Sequence, residues 1–314
     1  NTTYYVRAYA TNSEGTAYGV EDTFRSKFIQ YGQGVTDIDG NTYGSVIIGE
    51  QEWLSSNLKV TKYNDGSPIL EVSDAEAWSN LSTPAWCWYD NDSASHDSLY
   101  GKLYNSYAVA DTGIRNVCPA GWKVPSNDDW SSLEAYLIAQ GHDGFEGDVL
   151  KLDSEWNGEG NGTNFYAFAA LPSGGRNASG IFVNKGNYAF FWGSIGRQLS
   201  RTSNTLGTMA VVNKNGQSVR CIKDTSYVPI TTASVSSITD SSAVSGGTID
   251  TNGGTVITAS GVVWDTVSNP TIESKLGITN EDSTSGSFVS NLDSLLPNTT
   301  YYVRAYATNS EGTA

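Results

Sequence analysis

Residues 1–17, NTTYYVRAYATNSEGTA, recur without a change as residues 298–314, an offset of 297 positions. Any fold of this chain has to house one sequence twice. Chance identity over such a length is negligible, and two long-separated domains would have drifted apart, so a recent tandem duplication or a window on a repeat array is the expected origin. The 314 residues, about two domains' worth of chain, then measure one period with its overlap. With no initiator methionine, leader or tail, the sequence is expected to be an internal piece of something longer.

From Leu296 to Ala307 large residues alternate with small or polar ones at period two, the pattern of a half-buried strand. Asn309 to Gly312 supplies a turn, and Thr16 to Phe24 in the first copy give the strand that follows it. Upstream, residues 242–249 and 259–264 read as short strands set apart by Gly, Asn and Ser. The Leu296-Pro297-x-Thr299-x-Tyr301 lead-in resembles the corner of fibronectin type III domains, where a tyrosine hydroxyl ties a loop to the next strand. Residues 228–314 as a whole resemble a fibronectin type III-like or related immunoglobulin-like sandwich. Residues 1–25 resemble the terminal strands of a preceding one, with Tyr4, Tyr5, Tyr301 and Tyr302 marking the repeat junction.

A lone two-stranded ribbon is marginal in water, so residues 1–25 are expected to complete a preceding copy of the 228–297 region. Two arrangements allow this: a covalent polyprotein with a 297-residue period, or separate subunits that donate strands to one another. Under donation the sandwich's own copy of the strand competes at high effective concentration, which favours the covalent array.

Between about 29 and 224 the texture changes, and eight of the nine tryptophans lie there. Val35 to Tyr43 reads as strand, Asp39-Gly40 turn and strand, continuing into Val46-Ile47-Ile48-Gly49. Ser73 with Glu76 forms a capping box for a short helix through Leu81. A longer helix is expected from Ser126 to near Gln140. Ser126 caps it, Asp128 and Asp129 suit the dipole, and Trp130, Leu133 and Leu137 form an apolar stripe before Gly141.

The ordered blocks VTDIDGNTYGSVIIGEQEWLSSNL (35–58), WCWYDND (86–92), YGKLYNSYAV (100–109), CPAGWKVPSNDDWSSLEAYL (118–137), FAALPSGGR (168–176) and SVRCIKD (218–224) resemble the Fibrobacter succinogenes major paralogous domain. The Gly121-Trp122 to Trp130 block is also similar to the turn and helix of C-type-lectin-like and formylglycine-generating-enzyme-like folds. This resemblance implies a compact α+β domain found in surface and secreted proteins, and no known chemistry. The expected fold class is therefore β-rich and multidomain, a C-type-lectin-like α+β centre at 29–224 plus an all-β sandwich split across the repeat boundary. Cys118 and Cys221 stand in the two blocks where the family carries its cysteines. A disulfide there would close a loop of about 100 residues and add about 4 kcal/mol; two buried thiols are the alternative.

Among candidate sites, Cys87 between Trp86 and Trp88 reads as a buried free thiol. The two histidines, His96 and His142, sit in Asp/Gly/Ser-rich stretches with no triad or metal spacing, so no catalytic residue and no enzyme activity are expected. Asp90, Asp92 and Asp97 crowd one loop with Asn91, which makes structural calcium the single candidate cofactor, against a solvated turn. The calcium-dependent sugar motifs of C-type lectins are absent. The tryptophans could stack on sugars, but their block positions suit core packing. Asp-Ser/Thr followed by a small or apolar residue resembles the O-glycosylation acceptor of Bacteroidota-type secreted proteins, and it occurs at Ser93, Ser98, Thr266, Ser283 and Ser294.

Thirty-three acidic residues against 18 basic ones give a net charge of -15, which repels phosphate backbones and excludes nucleic acid as a partner. No run approaches the ~20 apolar residues of a membrane span. The sequence thus points to a structural repeat of an extracellular bacterial surface fibre or giant adhesin, partnered head to tail by neighbouring copies of itself. The alternatives are a lectin-like module binding surface polysaccharide on a repeat stalk, and an enzyme accessory domain.

Overall fold

The protein is seen in a computed structural model that describes residues 3–25, 29–110, 115–225, 227–250, 256–309 and 312–314. It divides into two units, 1–223 and 224–314. Strand predominates over helix, distributed among several small sheets. No helix among the described residues is long and apolar enough to cross a membrane.

The chain opens with an antiparallel hairpin of β1 (Thr3–Asn12) and β2 (Gly15–Arg25), registered from Thr3 opposite Arg25 to Asn12 opposite Gly15, with an irregularity between Arg7 and Tyr9. Asn12 sets the turn, its Oδ1 accepting the N–H groups of Glu14 and Gly15 at 2.9 and 3.1 Å. Neither face of the ribbon is buried: Tyr5 is 70% and Val20 94% exposed.

Three buried clusters fill the central region, two of them large. The strands Trp122–Lys123, Ile222–Lys223, Gln51–Leu54, Ser45–Ile48 and Gln30–Tyr31 form one sheet in that order. The main helix, Asn127–Leu137, lays Trp130, Leu133 and Leu137 into the core that Val46, Ile48, Trp53 and Ile222 supply from this sheet. Its capping box joins Ser126 and Asp129, and after Leu137 it runs into a wider turn in which Gly141 takes φ 88°. A second core gathers Leu54, Leu58, Trp86, Tyr104, Trp122 and Trp192 around Cys118 and Cys221. These two cysteines are disulfide-bonded, with Cα atoms 6.0 Å apart, and tie the approach to the helix to the last strand of the sheet.

Arg220 crosses between these layers, fully buried. Its Nε and Nη2 donate to Asn57 Oδ1 at 3.2 and 2.7 Å, and its Nη groups reach the carbonyls of Leu54, Phe168 and Ala169. The guanidinium lies over Phe168 and Phe191. Burial pulls its pKa down to about 9. Ala167 and Ala169 on the accepting loop adopt φ 57° and 54°, a left-handed backbone costing on the order of 1 kcal/mol each, held by what packs on it.

Arg176 does similar work nearer the edge, donating to the carbonyls of Val72, Ser73 and Gly180 while stacked against Trp78 and Phe182. It also corrects one expectation. The short helix is Ala75–Ser79, capped by Asp74 through Ala77 N–H at 2.7 Å, and the Ser73–Glu76 box does not form. The Ser73 carbonyl accepts from Arg176, and the helix starts one residue later than expected and ends before Leu81.

The second unit has two three-stranded antiparallel sheets, Ile230–Thr232/Ala243–Ile249/Gly286–Leu292 and Gly277–Ile278/Ala259–Asp265/Tyr302–Thr308. Ala243, Ile249, Phe288 and Leu292 of one face Val262, Trp264, Ala305 and Ala307 of the other across a single core. At Gly247 the sheets come so close that a Cβ would lie 2.7 Å from the Ala305 methyl.

Replacing Arg220 strands an amide oxygen and several carbonyls in a dry core. Arg220→Met should lower the unfolding free energy by about 3–5 kcal/mol, whereas Lys223→Ala, which breaks the more exposed pair with Glu52, should change it by less than about 1 kcal/mol. Urea titration followed by tryptophan fluorescence measures both.

Candidate functional site

The repeated segment is the one stretch whose two environments can be compared residue by residue. In the second copy Tyr301 sits half-buried, its hydroxyl accepting the Leu296 N–H at 3.0 Å, so the ring pins the loop ahead of the strand. Tyr302 is exposed. Ala305 and Ala307 face the core, and Tyr306 is buried from the opposite side, where its hydroxyl donates to the Thr279 carbonyl at 2.7 Å. Ala305 N–H also donates to the Thr232 hydroxyl of the facing sheet at 3.0 Å. In the first copy the same residues lie open: Tyr9 is 73% exposed where its counterpart Tyr306 is 6% exposed, and Tyr4 and Tyr5 are exposed as well.

The local geometry is nevertheless shared. Thr11 and Thr16 hydroxyls meet at 2.8 Å, as do those of Thr308 and Thr313. Gly15 N–H donates to Asn12 Oδ1, and Gly312 N–H to Asn309 Oδ1. Ala10 stands opposite Ala17, while Ala307 and Ala314 exchange both backbone hydrogen bonds. Sequence fixes the turn and register in both places; only the packing differs.

In the central region the three acidic candidates for calcium do not converge. Asp90 is exposed at φ 52°, and Asp92 caps the short helix Ser93–His96 through Ser95 N–H. Asp97 accepts Trp88 Nε1–H at 2.9 Å and the Lys102 ammonium at 2.7 Å. Burial opposes ionisation of Asp97, but Lys102 and Trp88 outweigh it and hold the carboxyl below its usual range. Lys102 is itself buried, its ammonium about 5 Å from the Trp86 and Trp88 rings, so the positive charge this loop receives comes from the chain. Among the described residues, no three His, Cys, Asp or Glu side chains gather as a metal site requires.

His96 is buried between Tyr89 and Tyr100, with Nδ1 2.9 Å from the Asp92 carbonyl and Nε2 2.6 Å from Lys185 Nζ. Tyr100 donates to Glu155 at 3.1 Å, and burial together with that carboxylate pushes its pKa up to about 12. Lys185 and Glu155 escaped the sequence reading because nothing local announces partners so far along the chain. His142 packs on Phe165 and Tyr166. Cys87 is a buried free thiol in the cluster of Trp78, Tyr89 and Leu103, on the other side of its strand from Trp86, and burial pushes its pKa up to about 12. Of the eight central tryptophans, Trp53, Trp78, Trp86, Trp122, Trp130, Trp156 and Trp192 are buried and Trp88 is half-buried. Ser93, Ser98, Thr266 and Ser294 are exposed and Ser283 is half-buried.

Small sheets and short helices, tied by a disulfide between the helix lead-in and the chain just before the last strand, surround a buried arginine in a β-rich domain. The family model described as Fibrobacter succinogenes major domain matches residues 46–223, and the chain belongs to that family. No curated protein and no solved structure matches it.

Because the unfolded thiol ionises near 9 and the folded one near 12, the stability Cys87 contributes is complete below pH 9 and declines as pH rises towards 12. Iodoacetamide at pH 8 should leave Cys87 unmodified in the native protein and alkylate it in urea, as mass spectrometry of the tryptic peptide would show. Modification of the native thiol would place it outside the core.

Proposed function

We propose that this chain is one structural repeat of a long extracellular bacterial surface fibre or giant adhesin, in which Fibrobacter succinogenes major domains alternate with fibronectin type III-like sandwiches. The observation that carries this is the double life of one sequence, exposed in β1 and packed as a sandwich strand at Tyr302–Thr308. A ribbon with no buried face gains little by folding alone, whereas as the last two strands of a neighbouring sandwich it covers a core. The period of 297 residues then joins each central domain to the next through a shared sandwich. Units contact mainly their neighbours, and length grows by adding copies.

The acidic balance suits such an array. A charge of -15 on every period spaces copies and keeps a long chain soluble. Exposed Asp-Ser/Thr sites at Ser93, Ser98, Thr266 and Ser294 are open to O-linked sugars on an exported protein. The polysaccharide-binding alternative draws no support from tryptophans that are nearly all buried.

Chains of one, two and three periods, each added period being residues 18–314, should lengthen by a fixed increment in rotary-shadowed electron micrographs. Two- and three-period chains of one common length would overturn the array.

A further inference from the structure

The C-terminal sandwich has a strand position that the chain begins to fill. The strand Tyr302–Thr308 pairs along one edge with Ala259–Asp265 from end to end. Along its other edge pairing starts, with the Thr308–Thr313 bridge and the mutual Ala307–Ala314 hydrogen bonds, and stops where residue 314 is reached. These contacts reproduce the first turn of the β1–β2 hairpin at positions shifted by 297. At the other end of the same strand, beside Tyr301 and Val303, lies a cleft of about 520 Å³ walled also by Val235, Ile238, Leu295 and Leu296. Leu296 and Ile238, 66% and 72% exposed, stand at its mouth.

We infer that this edge and cleft receive residues 18–25 of the adjoining copy, Tyr-Gly-Val-Glu-Asp-Thr-Phe-Arg, as a fourth strand of the second sheet. The inference rests on the array reading and names its contact. In β1–β2, Tyr18 stands opposite Tyr9, Glu21 opposite Arg7 and Phe24 opposite Tyr4. Carried over by the shared register, the incoming strand sets its tyrosine opposite Tyr306, its glutamate opposite Arg304 and its phenylalanine opposite Tyr301, at the mouth of the cleft. Arg304, whose polar contact is a 3.4 Å bond to the Pro270 carbonyl, gains a cross-strand carboxylate. An apolar side chain arrives where aliphatic surface is open, and the outer backbone groups of the strand gain ladder partners, the Ala305 N–H exchanging its bond to the Thr232 hydroxyl for one in the ladder.

The test is the full chain extended after Ala314 by those eight residues, compared with the unextended chain and with one bearing the same eight residues scrambled. Hydrogen exchange followed by mass spectrometry should slow at least about tenfold across Tyr302–Thr308 in the native-sequence extension alone. Unchanged exchange, or equal slowing by the scrambled extension, overturns the strand assignment. Its failure is separable from failure of the array: chains of several periods could still lengthen by fixed steps while this edge stayed open, and the edge could close in chains that do not lengthen.

Discussion

The central domain depends on the placement of one guanidinium. Arg220 is shut away from water, and its partners are an amide oxygen and backbone carbonyls. A charge in that position is tolerable only where many dipoles converge on it, so the loops carrying Leu54, Asn57 and Phe168–Ala169 have little freedom in where they run. Asn57 passes the constraint on, its amide reaching the Tyr100 carbonyl and the Ser218 hydroxyl. The residue after Arg220 is Cys221, so the disulfide anchors the same stretch of chain just ahead of the strand Ile222–Lys223. A domain with short strands and little helix thus obtains from two buried arginines and one covalent bond the definition that larger sheets derive from long ladders.

What the sequence made legible was local. Ser126 capping a helix with Trp130, Leu133 and Leu137 on one stripe is written within a dozen residues, and the Asp-Gly turn between Val35 and Tyr43 within nine. The pairing of Cys118 with Cys221 was suggested by family resemblance and not by spacing. What stayed hidden was action at a distance. Asn57 meets Arg220 across 163 positions and His96 meets Lys185 across 89, and no periodicity encodes either pair. The acidic loop left calcium open against a solvated turn, and what the residues nearby did not announce is that Lys102 folds back beside two tryptophans and pairs with Asp97. Asp74, not Ser73, caps the short helix, and the Ser73 carbonyl instead meets an arginine 103 positions on. A lysine within reach of Trp-Cys-Trp-Tyr-Asp-Asn-Asp was the one signal that could have warned against a cation site.

The repeated segment separates two things usually fused, the conformation a sequence prefers and the burial it attains. The Asn–Gly hydrogen bond, the hydroxyl pair and the register are the same in both copies, so they follow from the residues themselves. Burial of Tyr306 and Ala307 follows from strands some forty residues upstream that the first copy is not seen with. Gly247 shows how tight that second environment is, since the facing sheet can approach Ala305 only where there is no side chain.

The offset between the repeated sequence and the folded unit gives the proposed array a direction in time as well as in space. During synthesis from the N-terminus, each sandwich would wait, one strand short, until the opening residues of the following copy left the ribosome, so every finished bead certifies that the next has begun. The last sandwich made would have no successor. Its edge beside Tyr302–Thr308 would stay open, so the two ends of the proposed array would differ chemically.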